Sequence, residues 1–159
     1  MSSSNSPRIT WKIKKNYSDN YSLTNSDYYY GNINGSDGAS FYIQIWNNYN
    51  GSIDVDNLKD ATLIVKTLNI DDSYLLNLLS ISSIVDGNET SITKTIINDV
   101  KSSFYIGTLY GYSNNGNEDS QESLPQKNMI TLKVTIDKTD YKVKENLKNL
   151  VFSVIQGST

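Results

Sequence analysis

Alternation of apolar and polar residues runs through most of the chain. Ile9, Trp11 and Ile13 interleave with Thr10, Lys12 and Lys14, the period of two that marks a strand with one buried and one wet face. Ser40 to Trp46 repeats the pattern, with Phe41, Ile43 and Ile45 on one face and Tyr42, Gln44 and Trp46 on the other. The NNYNG run at 47–51 that follows is turn chemistry. Ile53 and Val55 then read as the start of a return strand and Asp56 to Asp60 as a connector. Ala61–Leu68, Ser103–Tyr112, Met129–Asp137 and Leu150–Ile155 supply further strands. In the Met129 strand Ile130, Leu132, Val134 and Ile136 are the expected core face.

Between these segments the pattern is weaker. Over 71–85, Asp72 or Ser73 is placed to cap a short helix carrying Leu75, Leu78 and Leu79. Alternation from Ser80 to Val85 argues instead for a strand, and a strand over 74–85 is the reading adopted. Asp86-Gly87-Asn88 is a hairpin signal, with Thr90–Asn98 expected to pair back. Residues 16–38 form a long polar connection with five tyrosines and a short strand near Asp27–Tyr30. Residues 113–127 form an acidic loop, and 140–149 one or two helical turns. The domain is expected to span 8–156, with tails at 1–7 and 157–159.

About eight strands at this spacing predict an all-β fold, an antiparallel β-sandwich or jelly roll with at most one or two short helices. No strand–helix–strand rhythm suggests a doubly wound sheet. Composition agrees: 17 Ile, 8 Val, 12 Thr and 12 Tyr stand against two Ala, a balance that favours strands. The 20 Asn and 22 Ser read mainly as the imprint of an AT-rich genome laid onto surface and loop positions.

Chemistry is limited by what is missing. With no His and no Cys, the usual neutral-pH base, the serine and cysteine nucleophile pairs, thiolate metal sites and disulfides all drop out. The acids fall mostly in predicted turns, and no phosphate loop is present. The expectation is a non-enzyme without a cofactor. Oxygen-rich stretches at 32–38 and 114–119 lack the EF-hand pattern and read as turns. A net charge of −3 without a basic stripe argues against nucleic acid as a partner. No apolar run is long enough to span a membrane, and the Ser-rich start is not a signal peptide.

Tyrosine outnumbers phenylalanine 12 to 3. Large amphipathic rings with two torsions suit interfaces and sugar platforms. The candidate binding residues are Tyr28, Tyr29, Tyr30, Tyr42, Trp46 and Tyr49. Their rings either pack within the domain, bury against other subunits of an assembly, or stack on a sugar.

With Ser40–Trp46, the NNYNG turn, Ala61–Leu68 and Met129–Asp137 in place, the whole chain resembles the small β-sandwich accessory proteins of tailed bacteriophage virions. The likeness is one of layout and composition and carries over no site residues. It implies a virion structural protein, a head, collar, baseplate or decoration component assembled in the host cytoplasm. Such a protein's partners are other virion proteins or copies of itself. The alternative is a carbohydrate-binding module that stacks exposed Tyr and Trp rings on a surface glycan.

Overall fold

A computed structural model describes residues 5–14, 18–24, 28–33, 40–121, 123–137 and 148–157. The described chain forms β1 (Ile9–Lys14), β2 (Ser22–Thr24), β3 (Tyr28–Ile33), β4 (Ser40–Asn47) and β5 (Leu58–Thr67). After a 3-10 turn at Ile70–Asp72 and helix α1 (Tyr74–Leu78) come β6 (Leu79–Val85), β7 (Asn88–Ser91), β8 (Lys94–Asn98) and β9 (Lys101–Leu109). A second 3-10 turn at Glu118–Gln121 precedes β10 (Met129–Ile136) and β11 (Lys148–Gln156). The strands make a six-stranded sheet, β2-β1-β4-β10-β6-β7, and a five-stranded sheet, β3-β11-β5-β9-β8. Every described pairing is antiparallel. The chain is an all-β sandwich, as the alternation predicts.

One core fills the space between the sheets. Trp11, Phe41, Ile43, Ile45, Ile81, Leu132 and Val134 from the larger sheet meet Leu63, Val65, Phe104, Leu150 and Phe152 from the smaller. Phe41 and Phe152 touch edge to face across the layer, centroids 5.9 Å apart at 88°, the geometry preferred by ring quadrupoles. The inward residues of β1, β4 and β10 are the ones that alternation assigns to the core.

Both long sides of the sandwich are edged by consecutive strands. β2 and β3 edge one side, and β7 and β8 the other. The two-residue link Ile92–Thr93 carries the chain from one sheet to the next. The segment expected to pair back as a single strand over Thr90–Asn98 is therefore divided. Asn88–Ser91 pairs with β6, and Lys94–Asn98 pairs with β9 in the opposite sheet.

Other local expectations are also corrected. The 74–85 strand begins with a helical turn: α1 buries Leu75 and Leu76, and the strand starts only at Leu79. Here leucine spacing, not β alternation, decides the first half. Ile53 does not begin a strand; residues 51–57 are irregular, with Val55 buried, and β5 starts at Leu58. The β5 register slips at a bulge between Leu58 and Ala61, where Asp60 takes a left-handed φ of 48° and Gly107 on β9 one of 86°; bulges of this kind bend a strand and re-aim its side chains. β9 ends at Leu109 and leaves Tyr110–Tyr112 in a loop.

The Asp86–Gly87 turn is as expected. Val85 pairs with Asn88, and both turn residues have positive φ, 51° and 80°, the type I′ geometry for which Asp-Gly is favoured. Asn5 is tied down: its carbonyl accepts the Asp56 N–H at 2.7 Å, and its side chain donates to the Asp54 carbonyl oxygen at 3.3 Å. The start of the 1–7 tail lies outside the described residues. So do most of the helical turns expected over 140–149, whose last two residues open β11.

Candidate functional site

The outer face of the six-stranded sheet is where sequence and structure converge. Register sets three rows of side chains across β1, β4 and β10: Thr10–Trp46–Met129, Lys12–Gln44–Thr131 and Lys14–Tyr42–Lys133. On an ordinary sandwich such a face would be open to solvent. Here the loop after β9 folds back over its lower end. Glu118 Oε2 accepts from Gln44 Nε2 at 2.8 Å, and Gln44 Oε1 accepts from Trp46 Nε1 at 3.2 Å. Gln44 and Trp46 are 1% and 0% exposed in consequence.

Trp46 therefore offers no stacking surface to a ligand. Strand alternation puts it on the face opposite Phe41, Ile43 and Ile45, and of the three readings of its ring the structure shows packing within the domain. The covering loop, distant in sequence, turns that side into a second small interior. Tyr49 packs edge-on against Trp46 with centroids 5.0 Å apart and stays half-buried. Lys12 Nζ stands 4.9 Å from the Tyr49 ring centroid. Lys14 Nζ stands 4.8 Å from that of Tyr21 and 5.3 Å from that of Tyr42. Lysines and tyrosines thus interleave along β1, within the range of cation–π attraction.

Tyr42 is half-buried and faces a cleft. β6 pairs with β10 only from Ser83/Leu132 to Leu79/Ile136, so beyond Ser83 the hairpin tip and the start of β10 are not paired with each other. Glu118 and its loop close the far side. Two adjoining hollows of about 200 and 310 Å³ result, sharing Ile84, Asp86, Glu118 and Thr131. Lys14, Tyr21, Tyr42 and Gly87 complete the smaller one; Ile106, Gln121, Lys127 and Met129 help to line the larger.

Of the sequence-predicted residues, Tyr42, Trp46 and Tyr49 come together on this sheet. Tyr28, Tyr29 and Tyr30 belong to β3, the edge of the other sheet, in register with Ser153, Phe152 and Val151. Tyr21, Ile84, Asp86 and Glu118 line the cleft without being among the sequence-predicted binding residues, because a cleft assembled from a hairpin tip and two loops leaves no periodic trace.

A second polar assembly is structural. Asn47, Asn48 and Asn128 are 0%, 1% and 1% exposed, at the end of the sandwich where the turns after β4 and β9 meet. Asn47 Nδ2 donates to the carbonyls of Asp56 and Leu109 at 2.9 and 3.0 Å. Asn48 Nδ2 donates to those of Ile53 and Gly111 at 2.7 and 3.0 Å. Gly111 lies so close to the 55–56 backbone that a Cβ would stand 2.1 Å from the Val55 oxygen. Part of the asparagine load is thus buried scaffolding and not surface filler.

Several side-chain oxygens of the 114–119 loop accept backbone N–H groups. Asn114 Oδ1 accepts the N–H groups of Asn50 and Gly116, and Asn117 Oδ1 accepts that of Asp119, all at 2.9 Å. These are side-chain turns of the kind Asn favours. Among the described residues no group of three or more acidic side chains could hold a metal ion. No helix among them is long and apolar enough to cross a membrane.

Among the described residues two ionisable groups are clearly perturbed, both away from the cleft. The Tyr105 phenol donates to Asp60 Oδ1 at 2.9 Å, and that bond to a carboxylate raises its pKa above the ordinary value. Burial lowers that of Lys94, whose ammonium donates to the Leu76 carbonyl at the end of α1. No family model, curated protein or solved structure matches the chain.

Proposed function

We propose that the domain is a non-enzymatic structural or adhesion component of a multimeric particle, a phage virion by the resemblance of its layout, and that it works through protein–protein contacts. The observation that carries this reading is an apolar end. Leu68, Ile70, Ile96 and Ile97 are 63%, 57%, 65% and 48% exposed. They flank the junction where the Thr67 N–H meets the Val100 carbonyl at 3.0 Å, so β5 and the β8–β9 turn bring them to one end of the sandwich. Branched aliphatics gathered on a surface favour burial against a partner. The occupant proposed is another subunit of the same particle. A rigid two-sheet body with an apolar end suits a part that fills and bridges a lattice.

The test is the mass of the full chain over a range of concentrations, alone and mixed with the products of its neighbouring genes. A multimer or a mixed complex that dissolves when Leu68 and Ile96 are both changed to Asp supports the reading. A chain that stays monomeric throughout, and joins no neighbouring gene product, overturns it.

A further inference from the structure

The cleft beneath the Asp86–Gly87 hairpin tip has a chemistry of its own. Its polar lining mixes signs: the Lys14 ammonium stands with the Asp86 and Glu118 carboxylates, the Thr131 hydroxyl and the phenols of Tyr21 and Tyr42. A polyanion would meet two carboxylates, and a cation would meet Lys14. Ile84 and the Tyr42 ring provide an apolar surface among these groups. Polar groups converging on aromatic and apolar walls are the usual anatomy of a small-molecule site; the hollow lined by Lys14, Tyr21 and Tyr42 is about 200 Å³, and it opens beside the one of about 310 Å³ with which it shares Ile84, Asp86, Glu118 and Thr131.

We infer that this cleft binds a neutral saccharide, a mono- or disaccharide unit of a surface glycan. A sugar ring has hydroxyls that donate to carboxylates and accept from an ammonium, and a face of C–H groups that packs on an aromatic ring. This combination satisfies acidic, basic and aromatic groups in one ligand, as neither a phosphate nor a simple hydrocarbon does. Glu118 is held by Gln44 Nε2, and Lys14 lies between the Tyr21 and Tyr42 rings. The lining is therefore partly preorganised, which lowers the entropic cost of binding. The reading does not depend on assembly. β9 runs from Lys101, beside the apolar end, to Leu109, beside the cleft, so the two surfaces lie a strand length apart.

The experiment probes the full chain with an array of neutral and acidic glycans. Calorimetric titration with the methyl glycosides of glucose, galactose, mannose and N-acetylglucosamine follows. Saturable binding to a neutral sugar is expected, weakened at least tenfold by Tyr42→Ala and by Glu118→Gln, and unchanged by Tyr105→Phe on the opposite sheet. Asp86→Asn guards against a misfolded Tyr42 variant, because asparagine tolerates the left-handed turn geometry; it is expected to weaken binding as well. Silence across the array and the glycosides overturns the inference. So does a preference for acidic glycans, or binding that survives all three substitutions. None of these outcomes bears on the mass measurement that tests assembly.

Discussion

Asn47 and Asn128 hold each other through their backbones: the Asn47 N–H donates to the Asn128 carbonyl at 2.7 Å, and the Asn128 side-chain amide donates back to the Asn47 carbonyl at 3.1 Å. The same two side chains reach further, Asn47 to Asp56 and Leu109 and Asn128 to the Tyr112 carbonyl at 2.7 Å. Irregular segments between strands carry backbone carbonyls that burial would leave unpaired, and asparagine supplies the donors. Asn47→Ala removes two of these donors and strands two carbonyls. The expected cost is about 2–4 kcal/mol, within the range for breaking a buried hydrogen-bond network. In a domain of this size that lowers the melting temperature by roughly 4–16 °C. Asn115→Ala, on an exposed turn, is expected to cost about 1 kcal/mol or less. Calorimetric melting of the two variants beside the parent checks the contrast.

The strands with a wet face were legible in the sequence because period-two alternation reports which side meets the core. β1, β4 and β10 follow it, and the Asp86–Gly87 turn follows from residue types that accept positive φ. Legibility failed where the partner of a segment is remote. Nothing between Asn88 and Asn98 says that β7 and β8 belong to different sheets, since both remain largely exposed edge strands. Nothing around Gln44 says that Glu118, 74 residues on, will bond to it. The buried asparagines were hidden for a related reason. A composition rich in Asn everywhere makes the three that bind backbone carbonyls look like the rest. The cleft combines these failures, being built from a turn, a loop and the start of β10, which β6 leaves without a partner on that side.

Tyr105 supplies a pH-dependent readout of the β5 bulge. The bulge puts Asp60 in reach of the phenol on the outer face of the five-stranded sheet, and the bond favours the protonated ring. Below the ordinary phenol value of 10.0 both folded and unfolded chains hold this proton, so the contribution to stability is complete. As pH rises above 10.0 the unfolded chain loses the proton first, and the contribution is lost as pH passes through the raised folded value. Ultraviolet titration of the phenols is expected to show a late-ionising component that disappears in Tyr105→Phe. Asp60→Asn keeps a residue that tolerates the left-handed backbone, and is expected to move the component back toward the ordinary value.

Trp46 and Tyr49 touch, yet their substitution should have different consequences. Trp46 is fully buried, with its N–H satisfied by Gln44, which in turn donates to Glu118 of the loop after β9. Trp46→Ala leaves a cavity the size of an indole and frees Gln44 Oε1 of its donor. A loss of about 3–5 kcal/mol is expected, the range for deleting a large buried aromatic. Tyr49 is only half-buried, and its removal forfeits one edge-on ring contact and one cation–π contact with Lys12, together about 1–2 kcal/mol. Denaturant unfolding separates the two by midpoint. The loop's own response is the sharper check: amide exchange over 113–121 is expected to accelerate strongly in Trp46→Ala and only slightly in Tyr49→Ala, because the indole fixes Gln44, the side chain that holds Glu118 of the loop. Equal exchange in the two variants would mean that Glu118 and its hydrogen bond to Gln44, and not the buried ring, hold the loop against the sheet.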